Sequence, residues 1–146
     1  GILPVSFVAG RDDVISVLTP GSEGSTFGGY PLAAIVGVYA IKALINNNLT
    51  DNAKVRGEQL LSGLNEIKEA FPEKIKNVRG KGLLTAFEMY EEKHLDGHKV
   101  SLGLLANGVY AKETHRSTIR LAPALTINKL QINTIIESVY NVIKDI

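Results

Sequence analysis

A chain of 146 residues is long enough for one ordinary domain with its own apolar core, and 45% hydrophobic against 21% charged residues is the balance of a globular protein, not a disordered one. Sixteen basic against fifteen acidic residues leave a formal charge of +1 with no basic block or aromatic-basic stripe, which argues against nucleic acid as a partner. The sequence holds no cysteine, so disulfides, thiolate catalysis and Cys-ligated metals are excluded.

The chain opens on Ile2-Leu3-Pro4-Val5-Ser6-Phe7-Val8-Ala9, an apolar run that reads as a buried strand and lacks the charged start of a leader peptide. A strand so apolar needs cover on both faces, and the next twenty or so residues do not supply it, so the chain reads as a piece of something larger. A short helix is expected over 11–18, followed by the loop signal Thr19-Pro20-Gly21-Ser22. A glycine- and hydroxyl-rich stretch, Glu23-Gly24-Ser25-Thr26-Phe27-Gly28-Gly29-Tyr30, then runs into a helix over 31–46 with Pro31 at its first position, where a missing N–H costs nothing. That helix is apolar nearly all round and is expected to be largely buried, but Gly37 and Lys42 interrupt it and it is too short to span a bilayer. Thr50 is placed to cap the next helix, whose stripe is Ala53, Leu60, Leu64, Ile67 and Phe71. Strands over 75–79 and 83–90 flank a Gly80-Lys81-Gly82 turn. A helix over 98–107 ends at Gly108, short strands follow at 109–111 and 119–121, and a last helix begins after Asn128 with Ile132, Ile135, Ile136, Val139, Val142, Ile143 and Ile146 on one face. The order from residue 48 onward predicts an α+β unit with helices packed on one small sheet.

Two places carry chemistry. Around Ser25 and Thr26, glycines let backbone approach a ligand, two hydroxyls are offered, and a helix N-terminus with its free N–H groups follows at once. These are the ingredients of a phosphate site, and equally of a flexible glycine loop with a hydroxyl cap. In Ile119-Arg120-Leu121 a guanidinium sits within an apolar strand, where an unpaired buried charge is costly. It should face a protein acid or the carboxylate of a ligand, which its fork suits, unless it lies at a strand edge in water. Arg79-Gly80-Lys81-Gly82 lacks the full P-loop pattern and is better explained as a tight turn. His94 and His98 have the spacing of helical metal ligands, but Asp96-Gly97 between them and the want of a third ligand point to a chance pair. His115 lies in the loop before the Arg120 strand, either lining a site or fixing the loop.

Three segments resemble the ornithine aminotransferases, members of the class-III, fold-type-I aminotransferases that use pyridoxal phosphate (PLP). Residues Gly21 to Leu32 resemble their PG-x-HGST-[YF]-GGNPL loop, Val78-Arg79-Gly80-Lys81-Gly82-Leu83-Leu84 their VRGKGLL turn, and Ala111-Lys112-Glu113-Thr114-His115 with Ile119-Arg120-Leu121-Ala122-Pro123 their AK-x-TH…IR-[FLI]-AP segment. Glu23 stands where the family has histidine, Tyr30 where it has asparagine, and Ala124 where it has a second proline. The resemblance implies that residues 1–30 end the large PLP-binding domain, 31–47 form a linking helix, and 48–146 are the C-terminal small domain. It also implies that Ser25 and Thr26 reach the PLP phosphate of the neighbouring subunit in a homodimer, and that Arg120 holds a carboxylate of 2-oxoglutarate or glutamate. The PLP lysine is expected just before Gly1, so that these residues alone lack it and should not turn over substrate. The intact enzyme would move the δ-amino group of ornithine to 2-oxoglutarate, in the cytoplasm or, in a eukaryote, the mitochondrial matrix. An acetylornithine or other ω-amine enzyme, or a non-catalytic small-domain module, are the alternatives.

Overall fold

The computed structural model describes residues 3–91 and 96–146. In chain order it contains α1 (Asp12–Ile15), α2 (Pro31–Asn46), α3 (Leu49–Ala70), β1 (Ile75–Lys81), β2 (Leu84–Met89), α4 (Gly97–Ala106), β3 (Lys112–Thr114), β4 (Thr118–Leu121) and α5 (Lys129–Asp145). The chain divides into two compact units, Gly1–Asn47 and Asn48–Ile146. No single helix among the described residues is long and apolar enough to cross a membrane.

In the first unit, the strand expected near the start is absent: residues 3–11 carry no regular structure. A strand forms only where a neighbour satisfies its N–H and C=O groups, and among the described residues this stretch pairs with no strand. Helix α2 has the predicted bounds and Pro31 at its start, but it buries no residue. Leu32, Ile35, Val38, Tyr39, Ile41 and Ile45 are all exposed, because a unit this small has too little chain to cover an all-round apolar helix. Val5 does lie against Gly37 of α2, 3.7 Å from where a Cβ would stand.

The second unit is a four-stranded antiparallel sheet, order β1-β2-β4-β3, with three helices supplying its core. Alternation along β2 sends Thr85, Phe87 and Met89 inward. Along β4, Ile119 and Leu121 point inward at 0% and 2% exposure. Helix α3 adds Leu60, Leu64 and Ile67, and α5 adds Ile132, Ile135, Val139, Val142 and Ile143. Asn128 and Gln131 form a reciprocal capping box at the start of α5, each bond 3.0 Å, satisfying donors that the helix leaves open. At its other end the Lys74 ammonium donates to the carbonyls of Ile143 and Lys144, the charge that a helix C-terminus favours.

The β1–β2 hairpin shows why the Arg79–Gly82 stretch is glycine-rich. Lys81 pairs with Leu84, leaving a two-residue turn in which Gly82 takes φ +55°, as a turn with glycine at its first central position requires. Helix α3 crosses this turn at Gly57, where a Cβ would stand 2.2 Å from the Gly82 carbonyl oxygen. A Cβ at Gly80 would stand 2.6 Å from the Leu84 carbonyl oxygen. These glycines serve close packing, but the turn is Gly82-Leu83 alone: Gly80 and Lys81, expected in the turn, continue β1.

Several details differ from expectation, among them the first helix, which covers only Asp12–Ile15 of the expected 11–18. Asn48, not Thr50, is the N-cap of α3, with φ +50° and no side-chain cap bond; asparagine tolerates this left-handed conformation. The strand expected at 109–111 lies instead at Lys112–Thr114. Its position is set by the turn to β4, in which His115 and Arg116 both take positive φ, 51° and 62°, the twist that favours tight hairpins. Ile146, expected on the buried face of α5, is 44% exposed.

Candidate functional site

Ser25 and Thr26 lie in the first unit, in the turn-rich run before α2, and both are exposed. The Ser25 carbonyl accepts the Gly28 N–H at 3.1 Å and the Phe27 carbonyl accepts the Tyr30 N–H at 3.1 Å. Two tight turns in succession need the glycines: Gly29 has φ +73°, and a Cβ on Gly28 would press to 3.3 Å from the Ser25 carbonyl oxygen. Tyr30, the N-cap of α2, makes no side-chain cap bond, so the first N–H groups of a 16-residue helix are not capped by it. Among the described residues the Ser25 and Thr26 hydroxyls have no protein hydrogen bond. Unspent hydroxyls beside an uncapped helix start fit a phosphate chemically. Glu23 is also exposed, so its charge is free to stay in water.

Arg120 lies in the second unit, on β4. The alternation that sends Ile119 and Leu121 into the core turns Arg120 to the open face of the sheet, where it is exposed. Its guanidinium is therefore not buried, and the desolvation cost expected from its apolar neighbours does not arise. Among the described residues it makes no ion pair. Glu88 of β2, two residues along from Ala86, the partner of Arg120, faces the same side, and both of its oxygens are taken: Oε1 by Lys76 at 2.9 Å and Oε2 by Arg79 at 2.9 Å. A register shift in β1 between Ile75 and Asn77 brings both cations to one acid, since the extra residue of a bulge re-aims the side chains around it.

The Lys76 hydrogen bond, then that of Arg79, holds the Glu88 carboxyl below the usual carboxylate range. A carboxyl depressed in the folded state stabilises the fold above its unfolded value and stops doing so as pH falls through the folded one. Glu88→Gln should accordingly flatten the dependence of thermal stability on pH on the acid side of about pH 4.3, measured by melting scans across that range. An unchanged acid profile would mean that Lys76 and Arg79 do not hold Glu88 in solution.

The remaining sequence candidates fall away from these places. His98, in the first turn of α4, approaches Glu113 Oε2 with Nδ1 at 3.4 Å. His94 lies outside the described residues. No group of three potential metal ligands occurs among the described residues. His115 is exposed in the β3–β4 turn, its carbonyl accepting the Ser117 N–H at 2.7 Å. Ala124 lines an open groove of about 390 Å³ with Tyr110, Pro123, Ile127 and Gln131, and no charged side chain is among its described lining. Lys112 and Glu88, which share the open sheet face with Arg120, were given no site role by the sequence, and Arg79, weighed there only as part of a possible phosphate cradle, faces the same side. Only the strand register reveals them.

A profile of the class-III aminotransferases matches residues 1–143. The chain belongs to that family. Class-III aminotransferases use PLP, and a structure of the ornithine aminotransferase from Toxoplasma gondii holds it at partial occupancy in the active site. The mitochondrial ornithine aminotransferase of Arabidopsis thaliana is 38% identical over 146 residues, 99% of this chain and 31% of that protein. The Halalkalibacterium halodurans ornithine aminotransferase is 39% identical over 144 residues, 99% of this chain and 34% of that one. Among solved structures, the ornithine aminotransferase of Plasmodium yoelii superposes with a TM-score of 0.85 at 38% identity, covering 92% of this chain and 35% of that chain. The acetylornithine aminotransferase of Elizabethkingia anophelis superposes at 0.82 and 32% identity, covering 93% and 36%. The chain thus spans about a third of the length of these relatives, and its mixed α+β fold is that of the C-terminal third of fold-type-I aminotransferases.

Proposed function

We propose that this chain is the C-terminal portion of an ornithine aminotransferase, which moves the δ-amino group of L-ornithine to 2-oxoglutarate and gives glutamate 5-semialdehyde and glutamate. The observation that carries the reading is likeness to ornithine aminotransferases along 99% of the chain, joined to an exposed arginine that forms no ion pair among the described residues. PLP, when bound, supplies the electron sink for amino transfer; the lysine that carries it lies outside these residues on this reading, and the 146 residues alone are inactive. Ser25 and Thr26 donate to the cofactor phosphate, and the start of α2 adds its partial positive charge. Arg120 orients the substrate by forking a carboxylate.

On this reading residues 1–30 end a PLP-binding domain, 31–47 link, and 48–146 form the small domain. The exposed apolar face of α2 then belongs under the remainder of the complete protein. The phosphate that Ser25 and Thr26 meet is that of the neighbouring subunit in a homodimer. Thr26→Val removes one hydroxyl with little change of shape. In the complete enzyme it should speed PLP loss by about tenfold or more, the worth of one bond to a charged group. In dimers mixed with a subunit that lacks the PLP lysine but keeps Thr26, retention at the site carrying the lysine should recover. Were the substitution to weaken only the site on its own chain, the loop would be a local cap and the cross-subunit role wrong.

The likeness to the Elizabethkingia anophelis acetylornithine aminotransferase keeps one other substrate in view. Faster turnover of N-acetylornithine than of ornithine by the complete enzyme would transfer the assignment to it.

A further inference from the structure

β3 is an edge strand, and its first residue stands directly opposite Arg120: Lys112 and Arg120 are Cα partners across the β3–β4 ladder. Partners in an antiparallel ladder project from the same face, with Cβ atoms about 4.5–5.5 Å apart, and like charges so placed repel. Among the described residues no free acid on this face of the sheet offsets the pair. Glu113, the next residue of β3, partners the core residue Ile119 and so faces the other side, where it meets His98. Glu88 shares the face of Arg120 but has both oxygens engaged by Lys76 and Arg79. Among the described residues neither Lys112 nor Arg120 has an ion pair or a side-chain hydrogen bond, and both are exposed. On the far side of Arg120 in the same row stands Ala86, a methyl group that leaves room beside the guanidinium.

We propose that Lys112 is the second cation of the Arg120 site, and that the two together select a doubly charged carboxylate over a singly charged one. The proposal rests on the reading of Arg120 as a carboxylate binder and adds a residue that sets specificity. The roles differ by chemistry. The planar guanidinium forks one carboxylate through two parallel bonds and fixes its plane. The ammonium is a point charge on a flexible stem, so it follows the second negative charge without demanding a geometry. An ornithine side chain, which is cationic at its far end, is repelled by the same pair, so the arrangement favours the dicarboxylate partner of the reaction over the diamine one.

The 146-residue chain suffices for the test, because both cations lie on the open face of one sheet. Glutarate and butyrate are titrated separately at fixed ionic strength, following the backbone amide signals of β4 by NMR. Glutarate should bind roughly two- to fivefold more tightly than butyrate, as one added ion pair at a solvent-exposed site allows. Lys112→Met should bring that ratio close to one, Lys112→Gln should do the same, and Lys112→Arg should restore the preference. A ratio that Lys112→Met and Lys112→Gln leave unchanged overturns the proposal while leaving Arg120 as a binder. Glutarate binding that survives Arg120→Met at full strength overturns the reading of Arg120 itself, and the two failures are thereby told apart.

Discussion

Phe87→Ala should cost the Asn48–Ile146 unit about 3–5 kcal/mol, the range for emptying a large aromatic site in a core. Phe87 is fully buried in β2. Its cross-strand partners are Val78 of β1 and Ile119 of β4, so one ring is shared by three of the four strands. A domain of about 100 residues is stable by only about 5–15 kcal/mol. The loss should therefore lower its melting temperature by on the order of 20 °C. Tyr110→Ala removes a comparable ring at a residue 83% exposed and should change stability by about 0.5 kcal/mol or less. Calorimetry of the two variants beside the parent decides the matter. Equal shifts would mean that the sheet face carrying Phe87 is not the core of this unit.

The order of elements in that unit was legible because periodicity reports burial, and burial here is strong. The α3 stripe of Leu60, Leu64 and Ile67 and the α5 stripe from Ile132 to Ile143 both lie where a 3.6-residue period puts them. Asn128 signalled the start of α5 because its side chain closes a local bond to the Gln131 N–H that needs no distant partner. The misplaced elements are those fixed by pairing. Val109 and Ala111 are apolar and buried yet outside any strand, whereas polar Lys112 to Thr114 form β3 because the turn at His115 and Arg116 returns the chain there. A three-residue turn with positive φ at two non-glycine residues carries little composition signal. The apolar run near the start failed for the converse reason: hydrophobicity marked it as a strand, but among the described residues it pairs with no strand.

The candidate site was legible to a different depth in each place. Ser25 and Thr26 stood out because glycines, hydroxyls and a helix start fall within a few consecutive residues. Arg120 stood out as a lone charge in an apolar strand, but its surroundings did not. That Lys112 faces it, that Ala86 leaves space beside it, and that Glu88 is withheld from it by Lys76 and Arg79 all follow from register and from one bulge in β1. Residues 8 and 34 positions apart become neighbours only when the sheet forms, so no local pattern announces them. One signal was available: once Lys112 is taken as part of a hairpin closing on His115-Arg116-Ser117, counting back from the turn places it opposite Arg120.

Arg120→Lys in the complete enzyme should raise the KM for 2-oxoglutarate roughly ten- to hundredfold, while that for ornithine changes much less. The substitution keeps the positive charge and loses the planar fork, and a hydrogen bond to a charged group is worth about 1.5–3 kcal/mol. Folding should not be the cause of any loss, because Arg120 is exposed and β4 is anchored by Ile119 and Leu121 on its opposite face. Glu88 should not compensate either, since its oxygens remain engaged by Lys76 and Arg79 whichever cation stands at position 120. The discriminating measurement is steady-state kinetics with each substrate varied in turn, beside a melting scan of the variant. An equal rise in both KM values, or a lowered melting temperature, would make Arg120 a structural residue of the sheet. A rise confined to 2-oxoglutarate would place the guanidinium on the ligand, because a monodentate ammonium in the same position differs from it only in how it grips a carboxylate.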